Sequence, residues 1–363
     1  MGDRAAPGQA AKRGRAGRAF SRGSPPCRAP PRDGCRQGRG RLVSKAVMDA
    51  PPPSSAQSPW GTPFPGRIAA LIVAYRPDDG LGACVAATAG VADSVHLFQQ
   101  ERGRDAAADV RVDRAVAASG ASLTTDSANI GLAAAQNRLL AQALAAGADW
   151  LLLLDQDSVA RPGLRAAFAA ALAAAPPDTG LLAARNVEPG VPDTPWVTSA
   201  DGRRWTVVPR LEGPLLPDLL LAPASGSLVS AAAIRTCGPL RDDFFIDWVD
   251  VEYAVRLRRA GFRLVAVRDA LVDHRLGAVT QVPVGGRSLA VTHHGARRRW
   301  FQARNAVWTW RLHGRAVPAL RGWTLRILAS TAVKIAVLER GRGPKLAALA
   351  GGLWRGLLQR PQR

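Results

Sequence analysis

The fold class follows from WLLLLDQDS (150–158), in which four consecutive leucines run into an acidic cluster. An uninterrupted apolar run of this length is typical of a strand that is buried on both faces of a sheet. IAALIVAY (68–75) is a second such run, which contains β-branched residues and precedes Pro77 and Gly80. Between them, GLAAAQNRLLAQALAAG (131–147) consists of strong helix formers and ends in a glycine, as helices often do.

The alternation of strands and helices continues along the chain. SVHLF (94–98) and ASLTT (121–125) are the predicted second and third strands, and FRLVAVRDALVDH (262–274) is a later one. Pro162 is predicted to open a helix that ends at Pro176. Because short apolar strands alternate with helices, the sequence predicts an α/β fold with a mostly parallel sheet flanked by helices.

Two aspartates, Asp155 and Asp157, follow the tetraleucine strand directly. Ligands of parallel α/β sheets bind beyond the carboxyl ends of the strands, so the loops after Tyr75, Thr125 and Leu154 are expected at one rim. Carboxylates at the end of a buried strand are costly unless a positive charge neutralises them. Mg²⁺ or Mn²⁺ would do so with hard oxygen ligands. A strand-end turn that binds nothing is the alternative.

A second acidic cluster lies in DDFFIDWVDVEYAVRLRRAGF (242–262), where Asp247, Asp250 and Glu252 fall within six residues. A helix that begins near Asp247 would place Asp250 and Tyr253 on one face. Acids beside aromatic residues suit a general base that faces a polyhydroxylated substrate. The alternative is an acidic helix start that complements the helix dipole.

His274 ends the predicted strand 262–274. A lone histidine at a strand end is commonly structural. Next to two aspartates and a metal, however, an imidazole is a suitable third ligand. Both interpretations of His274 stay open on the sequence.

Residues 1–65 are rich in Gly, Pro, Arg and Ser without apolar periodicity, so we expect a disordered basic segment. Within it, residues 1–47 contain twelve Lys or Arg against two acids and carry about half of the formal net charge of +21. They are either a basic phosphate- or membrane-binding tail or lie upstream of a true start at Met48. The Arg and Ala richness of the whole chain makes its charge a poor sign of nucleic-acid binding, and no specific nucleic-acid partner is predicted.

The C-terminal region 311–363 contains two apolar stretches interrupted by cationic residues, at 322–338 and 345–360. They predict amphipathic helices, which either lie in a membrane interface through 320–360 or pack as a pair on the domain. No stretch is apolar over the roughly 20 residues that a membrane span needs, and the N-terminus lacks the apolar region of a signal peptide. We therefore expect a cytoplasmic protein at the inner face of the membrane.

Seven segments occur in a characteristic order and spacing over about residues 67–310. They are AYRP (74–77), NIGLAAAQN (129–137), LLLLDQDS (151–158), ASGSLVS (224–230), FFIDWVDVEYAVRLRRAGF (244–262), DHRLG (273–277) and RRRWFQARN (297–305). Together they resemble the family 2 inverting glycosyltransferases, and more narrowly their bacterial rhamnosyltransferase branch. The resemblance implies a GT-A type fold for residues 66–310. It also implies a nucleotide-sugar donor, with dTDP-L-rhamnose favoured, a divalent Mg²⁺ or Mn²⁺, and a glycan or lipid-linked acceptor in cell-surface polysaccharide assembly.

The resemblance also implies roles for individual residues on the donor side. Asp157 and His274 would hold the metal, together with Asp155, which would contact the ribose or reach the metal through water. The remaining residues of the donor side are Tyr75, Asn129, Gly131 and Asn137.

On the acceptor side, Asp250 matches the catalytic base of the family, and Val249 replaces the acid that commonly precedes it. The residues implied to line the sugar and acceptor region are Ser225, Gly226, Ser227, Asp247 and Trp248.

The segment after the second strand departs from the family pattern. The family usually has Val-Asp-Asn-x-Ser there, with an aspartate that recognises the nucleotide base, whereas this chain has LFQQERG (97–103). Base recognition would then pass to Gln99 or Gln100, or the donor would be held less selectively.

Two other functions remain open. A nucleotidyltransferase also binds Mg²⁺ with carboxylates, but AYRPDDG (74–80) lacks the Gly-rich, Lys-bearing loop of such enzymes. A basic membrane-surface or nucleic-acid-binding protein with a non-catalytic GT-A-like domain is the second alternative. Deletion of residues 1–47 would abolish the activity of such a binder and leave a glycosyltransferase working.

Overall fold

A computed structural model describes residues 63–188, 194–274, 279–284 and 287–361. The predicted basic segment 1–65 lies outside the described residues except for its last three positions. In chain order the strands are β1 (Ile68–Ala74), β2 (Ser94–Gln99), β3 (Ser122–Thr125), β4 (Trp150–Asp155), β5 (Ser158–Ala160), β6 (Thr179–Val187), β7 (Trp196–Thr198), β8 (Thr206–Val208), β9 (Leu215–Leu216), β10 (Ser227–Ser230), β11 (Arg263–His274), β12 (Val279–Val284) and β13 (Arg287–Thr292). The helices are α1 (Leu81–Ala89), α2 (Ala106–Ser119), α3 (Leu132–Ala145), α4 (Leu164–Ala174), α5 (Ala231–Cys237), α6 (Val249–Arg259), α7 (Ala296–His313), α8 (Ala319–Leu338) and α9 (Arg342–Leu358), with a 3₁₀ turn at Asp242–Phe244.

Within the described ranges, nine strands form one central sheet. Its order is β3-β2-β1-β4-β10-β6-β11-β5, and β9 pairs with β11. The strands from β3 to β4 are parallel, β10 is antiparallel to both of its neighbours, and β6 and β11 are parallel. The predicted α/β class with a mostly parallel, helix-flanked sheet is confirmed. Two hairpins, β7–β8 and β12–β13, stand apart from this sheet and were not predicted.

The continuous apolar runs reflect two cores, one on each face of the sheet. Along β1, Leu71 and Val73 point into one core, whereas Ile68 and Ile72 point into the other. Side chains alternate between the faces of a strand, so a strand covered on both faces is apolar at every position. Helices α3, α6 and α7 cover the first core, and α1, α2 and α4 cover the second.

This topology brings several chain segments to one edge of the sheet. Val73 near the end of β1 lies beside Asp155 at the end of β4. Because β10 runs antiparallel to β4, the turn before β10 reaches the same edge, where Gly226 donates its amide to the Leu153 carbonyl at 2.8 Å. The end of β11, at His274, reaches it as well, since β11 runs parallel to β6 and β6 antiparallel to β10.

Two helices begin later than predicted. Helix α4 begins at Leu164 rather than at Pro162, and Gly163 precedes it with a φ of +90°. Helix α6 begins at Val249 rather than near Asp247, because Asp247 and Trp248 have φ values of +62° and +65°. A left-handed backbone cannot be part of a right-handed helix.

The C-terminal helices pack on the rest of the structure. Helix α7 runs unbroken through the predicted boundary between residues 310 and 311. It lies so close to α9 that a Cβ added at Gly356 would approach Val307 to 2.8 Å. The other side of α9 is open, and Trp354 is 66% exposed. No helix in the described part of the chain is both long and apolar enough to cross a bilayer.

Candidate active site

Asp155, Asp157 and His274 form a three-residue cluster at the carboxyl edge of the sheet. Their candidate ligand atoms all lie within 4.8 Å of one another, and His274 Nδ1 is 3.6 Å from an Asp157 carboxylate oxygen. Strand β5 lies antiparallel to β11 and pairs Ser158 with His274. The Ser158 hydroxyl shares a hydrogen bond of 2.7 Å with His274 Nδ1 and another of 2.6 Å with the Ser225 hydroxyl. These contacts fix the orientation of the imidazole ring toward the two carboxylates.

The electrostatics of the cluster favour a bound cation. Burial raises the pKa of the Asp155 carboxyl, the His274 imidazole opposes this rise, and the Asp157 carboxylate adds to it. A buried carboxylate beside a second carboxylate is ionised more easily when a positive charge compensates it. Two carboxylate oxygens and an imidazole nitrogen are donors that suit Mg²⁺ or Mn²⁺. The residues present therefore fit the divalent metal that the sequence predicted.

Asp250 lies in the first turn of α6 and faces the same cavity as the cluster. Its carboxylate accepts backbone hydrogen bonds from Val251 at 2.9 Å and from Ala224 at 3.3 Å. Burial raises the pKa of Asp250 to about 6, although these two amides lower it. A carboxylate with a pKa close to the working pH is well suited to accept and release a proton.

The loop before α6 has a strained backbone. Phe245, Asp247 and Trp248 all have positive φ values, of 63°, 62° and 65°. A left-handed conformation costs a non-glycine residue roughly 1–3 kcal/mol, and it persists only where the surroundings enforce it. The loop that carries Asp247 and Trp248 into the cavity is therefore held in place by other contacts.

Helix α7 supplies those contacts. The Asn305 side chain is fully buried, and its amide nitrogen lies 2.8–2.9 Å from the carbonyl oxygens of Phe244, Ile246 and Asp247. The Arg304 guanidinium donates to the carbonyl oxygen of Asp243 at 2.6 Å. Both residues belong to RRRWFQARN (297–305), to which the sequence assigned no role.

Arg298 also comes from this segment and forms a two-point ion pair with Asp247. Its Nε and one terminal nitrogen lie 2.9 and 3.0 Å from the two carboxylate oxygens. Burial alone would lower the pKa of Arg298, but the paired Asp247 carboxylate, with Asp155 and Asp250 nearby, raises it. The Arg298 guanidinium is thus a permanent cation in the cavity wall, close to Asp155 and Asp250. The run of arginines at 297–299 was the only sequence signal for it.

The residues predicted for the donor side divide into two groups. Tyr75 and Asn129 line the cavity, and Tyr75 is 37% exposed. Gly131 does not line it, but a Cβ there would meet the Phe245 ring at 2.6 Å, so the glycine permits the contact between α3 and the strained loop. Asn137 lies outside the cavity, and its side chain pairs with both backbone polar groups of Leu240 at 2.8 Å. We therefore expect Asn137 to hold the segment of Leu240, between α5 and the 3₁₀ turn, rather than to contact a donor.

Of the residues predicted for the acceptor side, Ser225, Asp247 and Trp248 line the cavity. Gly226 and Ser227 do not. A Cβ at Gly226 would come within 3.0 Å of Ala184, and the Ser227 hydroxyl donates to the Pro223 carbonyl, so both residues build the turn that presents Ser225.

Of the two glutamines proposed for base recognition, only Gln100 lines the cavity. Its side-chain oxygen accepts from the Gly131 amide at 3.2 Å. Gln99 is buried and engaged with Asp109 and Arg102.

The cavity that joins these residues has a volume of about 1140 Å³. This exceeds the roughly 300–1,000 Å³ of an ordinary ligand site, so there is room for two substrates. Sequence reasoning missed a second set of its lining residues, because their position depends on how the hairpins and α8 fold back over the sheet. These residues are Gln156, Trp196, Arg210, His294, Trp323, Arg326, Ile327 and Lys334. Burial lowers the pKa of His294 to about 3, with help from Arg298, so its imidazole is neutral.

Comparison with known proteins shows a likeness in structure only. No protein-family model matches the sequence, and no curated protein does. The mannosyltransferase PcManGT from Pyrobaculum calidifontis, solved with GDP-Man and Mn²⁺, has 13% identity and a TM-score of 0.50, with 83% of this chain and 91% of that chain covered. Residues 1–349 of S. aureus TarS have 10% identity and a TM-score of 0.51, with 80% and 81% covered. At such identities the likeness concerns architecture, and this chain has the GT-A type glycosyltransferase fold.

Proposed function

We propose that this chain is a metal-dependent inverting glycosyltransferase. The observation that carries the proposal is that Asp155, Asp157, His274 and Asp250 line one cavity at the carboxyl edge of a GT-A type sheet. The resemblance of seven segments to the rhamnosyltransferase branch supports a deoxyhexose as the transferred sugar, with dTDP-L-rhamnose as the donor. A glycan or lipid-linked acceptor in cell-surface polysaccharide assembly completes the proposed reaction.

In this proposal Asp250 is the general base. With a pKa of about 6 its carboxylate is largely ionised at neutral pH, and it accepts the proton of an acceptor hydroxyl. The hydroxyl oxygen forms a bond to the anomeric carbon from the face opposite the nucleotide, while the bond from that carbon to the diphosphate breaks. One displacement of this kind inverts the configuration at the anomeric carbon.

Asp155, Asp157 and His274 would hold the divalent metal. When bound, the metal supplies positive charge that stabilises the departing diphosphate. The chain holds the site ready for this through the hydrogen-bonded chain from Ser225 through Ser158 to His274. Tyr75, Asn129 and Gln100 would border the nucleoside, since they line the cavity beyond the ends of β1, β2 and β3.

A peripheral membrane contact through residues 320–360 is part of the proposal. Helix α9 presents Trp354, Leu357 and Leu358 to solvent, with exposures of 66%, 53% and 64%. Arg355 and Arg360 lie within the same stretch and are exposed. Apolar side chains edged by cations are the pattern of helices that lie in the interface of an anionic membrane.

The test is acceptor-independent hydrolysis of a panel of nucleotide sugars with Mg²⁺ or Mn²⁺. We expect slow release of the sugar from one donor, fastest with dTDP-L-rhamnose, and no release without the metal. Removal of residues 1–47 is expected to leave this activity intact. Absence of hydrolysis across the panel, with loss of anionic-vesicle or nucleic-acid binding in the same deletion, would instead favour the basic surface-binding protein.

A further inference from the structure

The cavity extends beyond the proposed reaction site into a region that we call the α8 compartment. It is lined by Trp196 of β7, by Arg210 and Leu211 after β8, and by one face of α8. Its walls are mainly apolar and aromatic, in contrast to the acidic cluster at the sheet edge.

The face of α8 that lines the compartment has a regular pattern. Trp323, Arg326, Ile327, Ser330 and Lys334 face the cavity, with the spacing of three and four residues that defines one side of a helix. Apolar residues and cations thus lie next to each other along the same wall. This arrangement matches a ligand in which an apolar chain adjoins a negative charge.

The carboxylates of the described cavity wall are confined to the proposed reaction site, where Arg298 pairs with one of them. Four aspartates line the described part of the wall, namely Asp155, Asp157, Asp247 and Asp250, and all belong to the proposed reaction site. The α8 compartment contributes Arg210, Arg326 and Lys334 instead. Among the described residues, no carboxylate lies within 4 Å of the guanidinium of Arg210 or Arg326, and Arg326 stacks 5.3 Å from the Trp205 ring.

The exposed side of α8 is apolar as well. Leu325, Val333 and Val337 are 57%, 61% and 60% exposed. An apolar chain that leaves the compartment along α8 would therefore meet further apolar surface rather than a polar rim. Such continuity suits a ligand whose chain remains partly in a membrane.

We infer that the α8 compartment binds the acceptor as an anionic amphiphile, in which a phosphate or diphosphate links the accepting sugar to an apolar chain. This inference rests on the proposed glycosyltransferase function and selects a lipid-linked acceptor over a soluble glycan. The phosphate lies between Arg210, Arg326 and Lys334. The chain runs along Trp323 and Ile327 toward the exposed side of α8.

Binding of dodecyl phosphate to the full-length protein, measured by calorimetry below its micelle concentration, tests the inference. Two comparison ligands separate its parts, namely an uncharged dodecyl glycoside and inorganic phosphate. We expect dodecyl phosphate to bind at least about tenfold more tightly than either, since each lacks one of the two features. Arg326→Gln is expected to weaken dodecyl phosphate about tenfold, whereas Arg321→Gln, an exposed position of α8 outside the cavity, leaves it unchanged.

Three results would overturn the inference. Equal binding of the dodecyl glycoside removes the need for negative charge, and equal binding of inorganic phosphate removes the need for a chain. Loss of dodecyl phosphate binding in Asp157→Asn would place the phosphate at the proposed donor site instead. Failure of nucleotide-sugar hydrolysis together with intact, Arg326-dependent binding would keep the amphiphile site and overturn the glycosyltransferase function, so the two failures are distinguishable.

Discussion

The side-chain amide of Asn305 lies 2.8 Å from the backbone carbonyl oxygen of Asp247, across 58 residues of sequence. This contact joins α7 to the loop in which Asp247 and Trp248 adopt left-handed conformations immediately before Asp250. A backbone so strained relaxes unless hydrogen bonds enforce it. The position of the proposed base at the start of α6 therefore depends on a residue outside the cavity.

Asn305→Ala is expected to loosen this loop. The substitution removes the side-chain donor to the carbonyl groups of Ile246 and Asp247, whereas the Phe244 carbonyl keeps Arg304, and the loss costs about 1–3 kcal/mol of folding free energy. We expect a lower melting temperature and a reduced kcat, with donor affinity nearly unchanged because the proposed metal site of Asp155, Asp157 and His274 is untouched. Asn305→Asp, which keeps the shape and removes the donor, should behave the same way. Wild-type turnover in a folded Asn305→Asp protein would contradict the role.

Asp250→Asn is expected to abolish sugar transfer while donor binding survives. An amide cannot accept the proton of the acceptor hydroxyl, and the loss of a general base lowers kcat about 10²–10⁴-fold. Single-turnover kinetics with calorimetry of donor binding separate the two effects. Equal turnover by mutant and parent would remove Asp250 from the proposed mechanism.

The rate should also fall in acid. Since the pKa of Asp250 is about 6, the base is protonated below that pH, and kcat/KM is expected to decrease about tenfold per pH unit there. The acid limb is measured between pH 4.5 and 7.5 under constant ionic strength. A rate that stays flat down to pH 5 would contradict this assignment.

The same shift predicts the sign of a stability change. The pKa of Asp250 in the folded state lies above its ordinary value of 3.8, so the folded protein binds this proton more tightly than the unfolded chain does. The stability that results is present at low pH and is lost as the pH rises through 6. Asp250→Asn should therefore gain stability relative to the parent between pH 4 and 7, by about 1–3 kcal/mol. The free energy of unfolding of both proteins, measured by chemical denaturation at pH 4 and at pH 7, checks this prediction. A constant difference across the range is the opposing result.

Asp157→Asn is expected to remove metal-dependent donor binding. A divalent cation held by two carboxylates and an imidazole loses one anionic ligand, and donor affinity should fall about a hundredfold. The matched control is Asp273→Asn, an aspartate near the end of β11 that pairs with Arg161 at 2.6 Å and does not line the cavity. Calorimetry with and without Mn²⁺ should show a loss in the first variant alone.

The membrane contact is tested by flotation with anionic vesicles. Trp354, Leu357 and Leu358 are exposed, so their replacement by Ser should leave folding intact. We expect the triple variant to bind vesicles at least about tenfold more weakly than the parent, because burial of each side chain in the interface contributes about 1 kcal/mol or more. A melting curve identical to that of the parent is the control. Undiminished flotation would place the contact elsewhere.

The buried strands and the two aspartates that follow β4 could be predicted because each depends only on a short stretch of sequence. Four leucines followed by Asp155 and Asp157 mark a buried strand that ends in carboxylates, and β1 and β4 lie where their apolar runs lie. The α/β class follows from the same periodicity. The start of α6 was misjudged because the conformations of Asp247 and Trp248 are imposed by α7, which no pattern in residues 242–262 records.

Contacts between distant segments decided the rest. Ser158 orients His274 only because β5 folds back against β11, 116 residues further along the chain. Strand β10 runs antiparallel and thereby returns Ser225 to the edge where β4 ends. Helix α8 closes the cavity with Trp323 and Arg326, although its sequence reads as an ordinary amphipathic helix. Composition and periodicity report what each segment buries, whereas pairing and packing over long separations set which side chains meet, and the chemistry of this cavity depends on the latter.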